Sequence, residues 1–272
     1  MGKVRLETEG CLIATRTLPF WCTLLMANML VQLLASAFVI ATLLRAAKYL
    51  RNDYKAFIAL GPGGTPQTVY GYLKVKALSL FALRSQYLSA PVPRHFIVKQ
   101  GYLKSLPRRN RRRPKTVGIA PHRQIEQKPD QETYNKVACA IEAMAPGENN
   151  DLAIGTSCFE KNGIGLFSKI PANQTCRGEV VHIHPSDGSF HMTLHPADAN
   201  TILEAGWGER HPLAGVFFNR FLPVGFMMVY APLDEGEIAT ILEIVNAAAW
   251  YVSAGRSASH VMEEQPVYEQ LE

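Results

Sequence analysis

The chain has 272 residues, 47% of them hydrophobic and 19% charged, with a formal net charge of +5. This balance excludes a disordered chain, which combines low hydrophobicity with high net charge, and a charge of this size does not by itself call for a nucleic-acid partner. The five cysteines, Cys11, Cys22, Cys139, Cys158 and Cys176, form no Cys-x-x-Cys pair, which excludes zinc ribbons and thioredoxin-type motifs and argues against a secreted disulfide scaffold.

From Thr17 to Leu44 no charged residue occurs. About 20 apolar helical residues span a bilayer core, and Asn28 and Gln32 interrupt this run only with uncharged groups. A signal peptide has a shorter apolar region, and a core helix of this length would show a polar face. The expectation is a short tail over 1–16 and a single transmembrane anchor over 17–44. Arg45, Lys48, Arg51 and Lys55 follow the anchor, whereas Lys3, Arg5 and Arg16 precede it. The positive-inside rule then puts the body in the cytosol, with the endoplasmic reticulum as the expected membrane. Asn173-Gln174-Thr175 is a glycosylation sequon that would stay idle on that side.

Residues 46–100 read as mostly helical, broken at Gly61-Pro62-Gly63-Gly64, with a second apolar helix from Gln67 to Ser85 and an end at Pro91 and Pro93. A basic run follows from Lys104 to Lys115. Beside a membrane it reads as a solvated loop or a contact with anionic lipid, not a nucleic-acid site. Asp130 to Ala145 forms an amphipathic helix stopped by Pro146-Gly147. The texture then changes to short segments divided by turn residues: Leu152–Glu160, Gly163–Ile170, Gly178–His184 and Ser189–His195. These predict an antiparallel sheet. Pro196–Ala205 is helical, Phe226–Ala231 is a strand, and Asp234 opens a last helix to about Ser253. The fold class is therefore α+β: one domain over 45–255 with an antiparallel sheet and flanking helices, then a frayed tail over 256–272.

Four of the eight histidines lie within 182–195. With Pro185-Ser186-Asp187-Gly188 as a four-residue turn, His182 faces His191 and His184 faces Ser189. Alternation then puts Val181, Ile183, Phe190, Met192 and Leu194 on a core face. His182, His184, Ser189, His191, Thr193 and His195 fall on the other. Cross-strand neighbours approach closely enough to cluster His182, His184 and His191. Three readings remain open: a polar sheet face, a metal site, or acid–base machinery for a polar substrate. Against a metal, Glu179 falls on the opposite strand face in this register, and only Asp187 supplies a carboxylate nearby. The expectation is no metal.

A second cluster follows, Gly206-Trp207-Gly208-Glu209-Arg210-His211-Pro212-Leu213-Ala214-Gly215. Trp207 offers a flat face to an aromatic ligand, and Arg210 offers fixed donors for an oxyanion or enolate. A packed turn with Arg210 in a salt bridge is the alternative.

Taken together these motifs resemble the fungal luciferase family. The resemblance runs through Arg51-Asn-Asp-Tyr-Lys-Ala-Phe57, Arg123-Gln124, Glu179, His182-Ile-His184, His191, Gly206-Trp207-Gly208, Arg210-His-Pro-Leu-Ala-Gly215 and Tyr230-Ala-Pro232, covering about residues 45–255. It implies a membrane-associated oxygenase that oxidises a hydroxylated styrylpyrone, 3-hydroxyhispidin, with molecular oxygen. A peroxidic intermediate then loses carbon dioxide and emits light. No flavin or nucleotide is implied, and the chain has no Walker A loop. The chemistry needs a base for the enol proton, with His182, His184 and His191 as candidates. It also needs donors for the anion: Arg210 and His211, with Arg123 and Gln124, while Trp207 stacks on the ring. The alternatives are a non-luminous pyrone oxygenase and a membrane-anchored module that binds an aromatic metabolite without turnover.

Overall fold

The computed structural model describes residues 20–94, 96, 98–145, 151–216 and 222–254. The two expected tails, the first residues of the expected anchor (17–19) and the Pro146-Gly147 stop lie outside the described residues. The chain divides into two compact units, Met1–Asp53 and Tyr54–Glu272.

The first unit holds most of α1 (Phe20–Ala59), one helix of 40 residues. It is rich in Leu, Ala and Met, which favour helix. Its apolar window has a mean hydropathy of 2.1 with none of it buried, so the helix is long and apolar enough to cross a membrane. The helix does not stop where the apolar run ends. It continues through Arg45 to Ala59 and gives way at Gly61, which takes a positive φ of 79°, a conformation open to glycine.

In the second unit α2 (Val69–Ser79) is capped by Thr68, whose side chain accepts from the Gly71 amide. It is shorter than the expected 67–85. From Leu80 onward tertiary hydrogen bonds take the backbone: Leu83 N–H donates to Pro212 O, the Gln86 carbonyl accepts from Arg210, and Ala90 exchanges two bonds with the Asn200 amide. β1 (Thr116–Gly118) and β2 (His122–Gln124) form a two-stranded antiparallel ladder that short-range pattern did not reveal. α3 (Gln131–Glu142) starts at Asp130, which caps Thr133 N–H at 2.8 Å.

The main sheet is antiparallel throughout. Its strands are β3 (Leu152–Thr156), β4 (Ile164–Ser168), β5 (Glu179–Ile183), β6 (Phe190–Thr193), β7 (Gly208–Arg210) and β8 (Phe226–Val229), in the spatial order β3-β4-β5-β6-β8-β7. α4 (Pro196–Ala205) and α5 (Glu235–Val252) complete the domain. Val181, Ile183, Phe190 and Met192 join Ile241, Ile244 and Val245 in one buried core, so the α+β class and the core face of the hairpin stand as expected.

Three features depart from the sequence reading. A β-bulge interrupts the β4–β5 ladder, where Leu166 pairs with Val181 but Phe167 pairs with Glu179. Val180 is the extra residue. One extra residue reverses the alternation upstream of it, so Glu179 shares the His182 face instead of opposing it. Second, Cys158 and Cys176 form a disulfide with Cα atoms 5.7 Å apart. Disulfides are rare in the cytosol, and this bond stands against the cytosolic side expected from the flanking charges. Third, the basic run is not a free loop. Arg109 is buried against Ala231 O, Arg111 pairs with Asp234, Arg112 with Glu126, and Arg113 donates to Gly208 O and Leu203 O.

Candidate active site

The β5–β6 hairpin has the register its turn implied: Val181 faces Met192, His182 faces His191, and Ile183 faces Phe190. The polar face is not solvated. His122 of β2, with Phe159 and Glu160 from the segment after β3, packs on it, leaving His182 2%, His184 0% and His191 4% exposed. Burying so many polar groups is costly unless each finds a partner, so their hydrogen bonds can be followed one at a time.

His182 Nδ1 lies 2.6 Å from Glu179 Oε1, the contact the bulge makes possible. His184 Nδ1 lies 2.9 Å from Ser189 Oγ, whose hydroxyl donates to Asp187 Oδ1. His191 Nε2 lies 3.4 Å from His122 Nδ1, and His122 Nε2 lies 3.2 Å from Glu209 Oε1. Carboxylates only accept. These partners therefore assign the protons to His182 Nδ1, His184 Nδ1, His122 Nε2 and His191 Nε2. The other nitrogens turn inward. His191 Nδ1 stands 3.1 Å from His184 Nε2 and 3.3 Å from His182 Nε2. Glu160 Oε1 joins them, 3.7 Å from His184 Nε2 and 3.9 Å from His182 Nε2. Arg123 grips both oxygens of Glu160.

Burial, the largest influence, pushes His184 down to about 4. It also holds His191 and His211 well below the usual imidazole range, with neighbouring imidazoles adding to the effect. For Glu160 burial acts upward, yet the Arg123 hydrogen bond and the nearby His184 hold it below the ordinary carboxylate value. Glu209 is held down in the same way, chiefly by His122 against the upward pull of burial. The site therefore sets neutral His184, His191 and His211 beside the ionised carboxylates of Glu160 and Glu209.

Beside the cluster lies a cavity of about 350 Å³, a size suited to a small aromatic ligand. Phe159, Phe226, Leu222 and Ile119 supply its apolar wall, and His122, His191, His211 and Glu160 its polar wall. His211 faces this space with both nitrogens used: Nε2 against Ile119 O at 2.9 Å, and Nδ1 accepting from Leu213 N at 3.1 Å.

The structure thus brings His182, His184 and His191 together and sets His211 beside them, ring centroids 5.3 Å from His191. Arg123 stands behind Glu160. Three other candidates are engaged elsewhere. Gln124 spends its amide on Glu126 O, Gln127 O and the Ala231 amide. Arg210 donates to Val224 O, Ser89 O and Ala214 O. Trp207 is buried, donates from Nε1 to Pro107 O at 2.7 Å, and lies under the Arg109 guanidinium rather than on the cavity wall. His195 stands apart from the cluster: it caps α4 and packs on Phe96 and Tyr251. The sequence reading missed Glu160, His122 and Glu209 as site residues. Glu209 sat inside the second motif and His122 next to Arg123, but nothing local marked Glu160.

A buried histidine–carboxylate cluster at the wall of an apolar cavity, set in an α+β domain, is a candidate enzyme site and not a wet sheet face. A luciferase-domain family model matches residues 177–248, the span that carries β5 to most of α5. A luciferase of Armillaria ostoyae is 30% identical over 224 residues, covering 76% of this chain and 83% of that protein. A luciferase of Neonothopanus nambi is 30% identical over 220 residues, covering 75% and 81%. No solved structure matches. The chain belongs to the fungal luciferase family and is a luciferase-like oxygenase.

Proposed function

We propose that the protein oxidises a hydroxylated styrylpyrone of the 3-hydroxyhispidin type with molecular oxygen, with decarboxylation and light emission, while α1 anchors it in a membrane. The observation that carries this reading is the shared wall of the cavity: aromatic and aliphatic side chains on one side, His122, His191 and His211 on the other. The apolar side suits a flat ring system. The polar side suits its enolic oxygens.

Deprotonation of the enol makes the ring electron-rich enough to react with oxygen. His122 Nδ1, whose contact with His191 Nε2–H is long at 3.4 Å, takes that proton and leaves the His191 N–H to donate to the enolate. Glu209 backs His122 at 3.2 Å, orienting the ring and stabilising the imidazolium, as a carboxylate does in any histidine–carboxylate pair. Positive charge formed here lies beside the enolate and helps hold it. Phe159 and Phe226, with ring centroids 4.7 Å apart, keep bulk water from the reactive carbon.

Supplying the pyrone in air to the purified protein tests the reading. Light with substrate loss is the expected result. Substrate loss in the dark assigns a non-luminous oxygenase, and binding without loss assigns a carrier.

A further inference from the structure

The protons placed by the outer partners leave three imidazole lone pairs and one carboxylate oxygen pointing at a common centre: His182 Nε2, His184 Nε2, His191 Nδ1 and Glu160 Oε1. All four atoms lie within 4.8 Å of one another. They are all acceptors, and no hydrogen remains among them to share. Acceptors held at 3.1 and 3.3 Å repel unless a positive charge stands between them. Two ligands about 2.1 Å from one metal ion, spread by about 90–110°, stand about 3.0–3.4 Å apart. The two nitrogen–nitrogen distances fall in that interval.

From this geometry we infer that His182, His184, His191 and Glu160 bind a divalent first-row transition metal ion of the iron-to-zinc series at the cavity wall. Three imidazoles and one carboxylate are a donor set for such ions and not for magnesium or calcium, which take oxygen ligands. Every ligand also has its far atom held by a second group: His182 by Glu179, His184 by Ser189 and Asp187, His191 by His122 and Glu209, and Glu160 by Arg123. Outer partners of this kind fix the tautomer and orientation of metal ligands.

The two neighbouring clusters do not compete. His211, near His122 and His191, has both nitrogens committed to the backbone. Cys158 and Cys176, near Glu179, are spent on a disulfide. The metal-free expectation from sequence rested on the absence of a carboxylate beside the histidines. Glu160 supplies one from the segment after β3, and the bulge brings Glu179 to support His182. His191 and Glu160 line both cluster and cavity, so the ion faces the substrate space.

Full-length protein in mild detergent, produced with added iron, copper and zinc, is analysed for elements. It should carry about one transition-metal ion per chain, and His195→Ala, which alters a histidine outside the cluster, should keep it. His182→Ala and Glu160→Gln should lose most of it. Stripped protein is then titrated with cobalt(II). Wild type should give visible ligand-field absorption saturating at about one equivalent, and Glu179→Gln, which retains all four ligands, should bind about 10–100-fold more weakly. No ion in the purified protein, together with no cobalt spectrum beyond that of His182→Ala, overturns the inference in favour of a shared proton. The readout does not involve the pyrone. Metal without pyrone turnover defeats the proposed function alone, and pyrone turnover by a protein that takes up neither ion nor cobalt defeats the inference alone.

Discussion

The β5–β6 hairpin and the segment from Gly206 to Gly215 both bury polar side chains, and they use them in opposite ways. In the second segment Arg210 and His211 end on backbone carbonyls, and Trp207 does the same. Their hydrogen bonds tie remote stretches of chain to the sheet edge. In the hairpin the outer atoms are satisfied, while three imidazole acceptors stay turned toward each other and toward Glu160. The lesson is that chemistry resides where hydrogen bonding leaves something over. Glu209 is the hinge between the two regions: it lies on β7, yet it accepts from His122 and from Tyr230 at 2.9 Å.

Turnover separates the regions most strongly. His122→Ala or His191→Ala should lower pyrone turnover at least about a hundredfold. Normal rates in both variants would remove the hairpin from the chemistry. Arg210→Ala should act the other way. It removes the donor from three carbonyls, of which Ala214 O is buried, and costs roughly 2–3 kcal/mol of stability, read by chemical denaturation. A stable Arg210→Ala protein with lost activity would return Arg210 to the reaction. Trp207→Phe keeps most of the packing and drops one hydrogen bond, so about 1–2 kcal/mol is expected.

Asp198 in α4 gives a smaller effect with a definite sign. It accepts from Tyr102 N and Leu103 N, and burial raises it to about 6. The folded state therefore holds this proton more tightly than the unfolded chain. Its contribution is full below about pH 4, the unfolded value, and fades as pH rises through about 6. Relative to Asp198→Asn, wild type should lose stability between pH 5 and pH 7, and parallel curves would contradict that account. The smallest effect is chemical. Under native, non-reducing conditions a maleimide should label exposed Cys139 and spare Cys158 and Cys176 until reductant is added.

Much of this was legible along the chain. Apolar continuity marked α1, and Asp130 and Asp234 marked helix starts that the structure places within one residue. The hairpin register followed from a turn of four residues and an alternating pattern, because pleating has a period of two. What pattern could not show was the bulge at Val180, since one extra residue leaves no compositional trace. Nor could it show β1–β2, whose three-residue strands are too short for periodicity.

The sequence by itself determined the long apolar helix, the α+β class, and which hairpin face carries histidine. These depend on propensity and alternation, which act over a few residues. Tertiary structure alone decided which polar groups meet: Glu160 with His184, His122 with His191, and Arg210 with distant carbonyls. Those contacts join residues far apart in the chain, 24, 69 and up to 121 positions. They form because a buried donor or acceptor must find a partner wherever the fold provides one, a requirement of three-dimensional packing that no local pattern encodes.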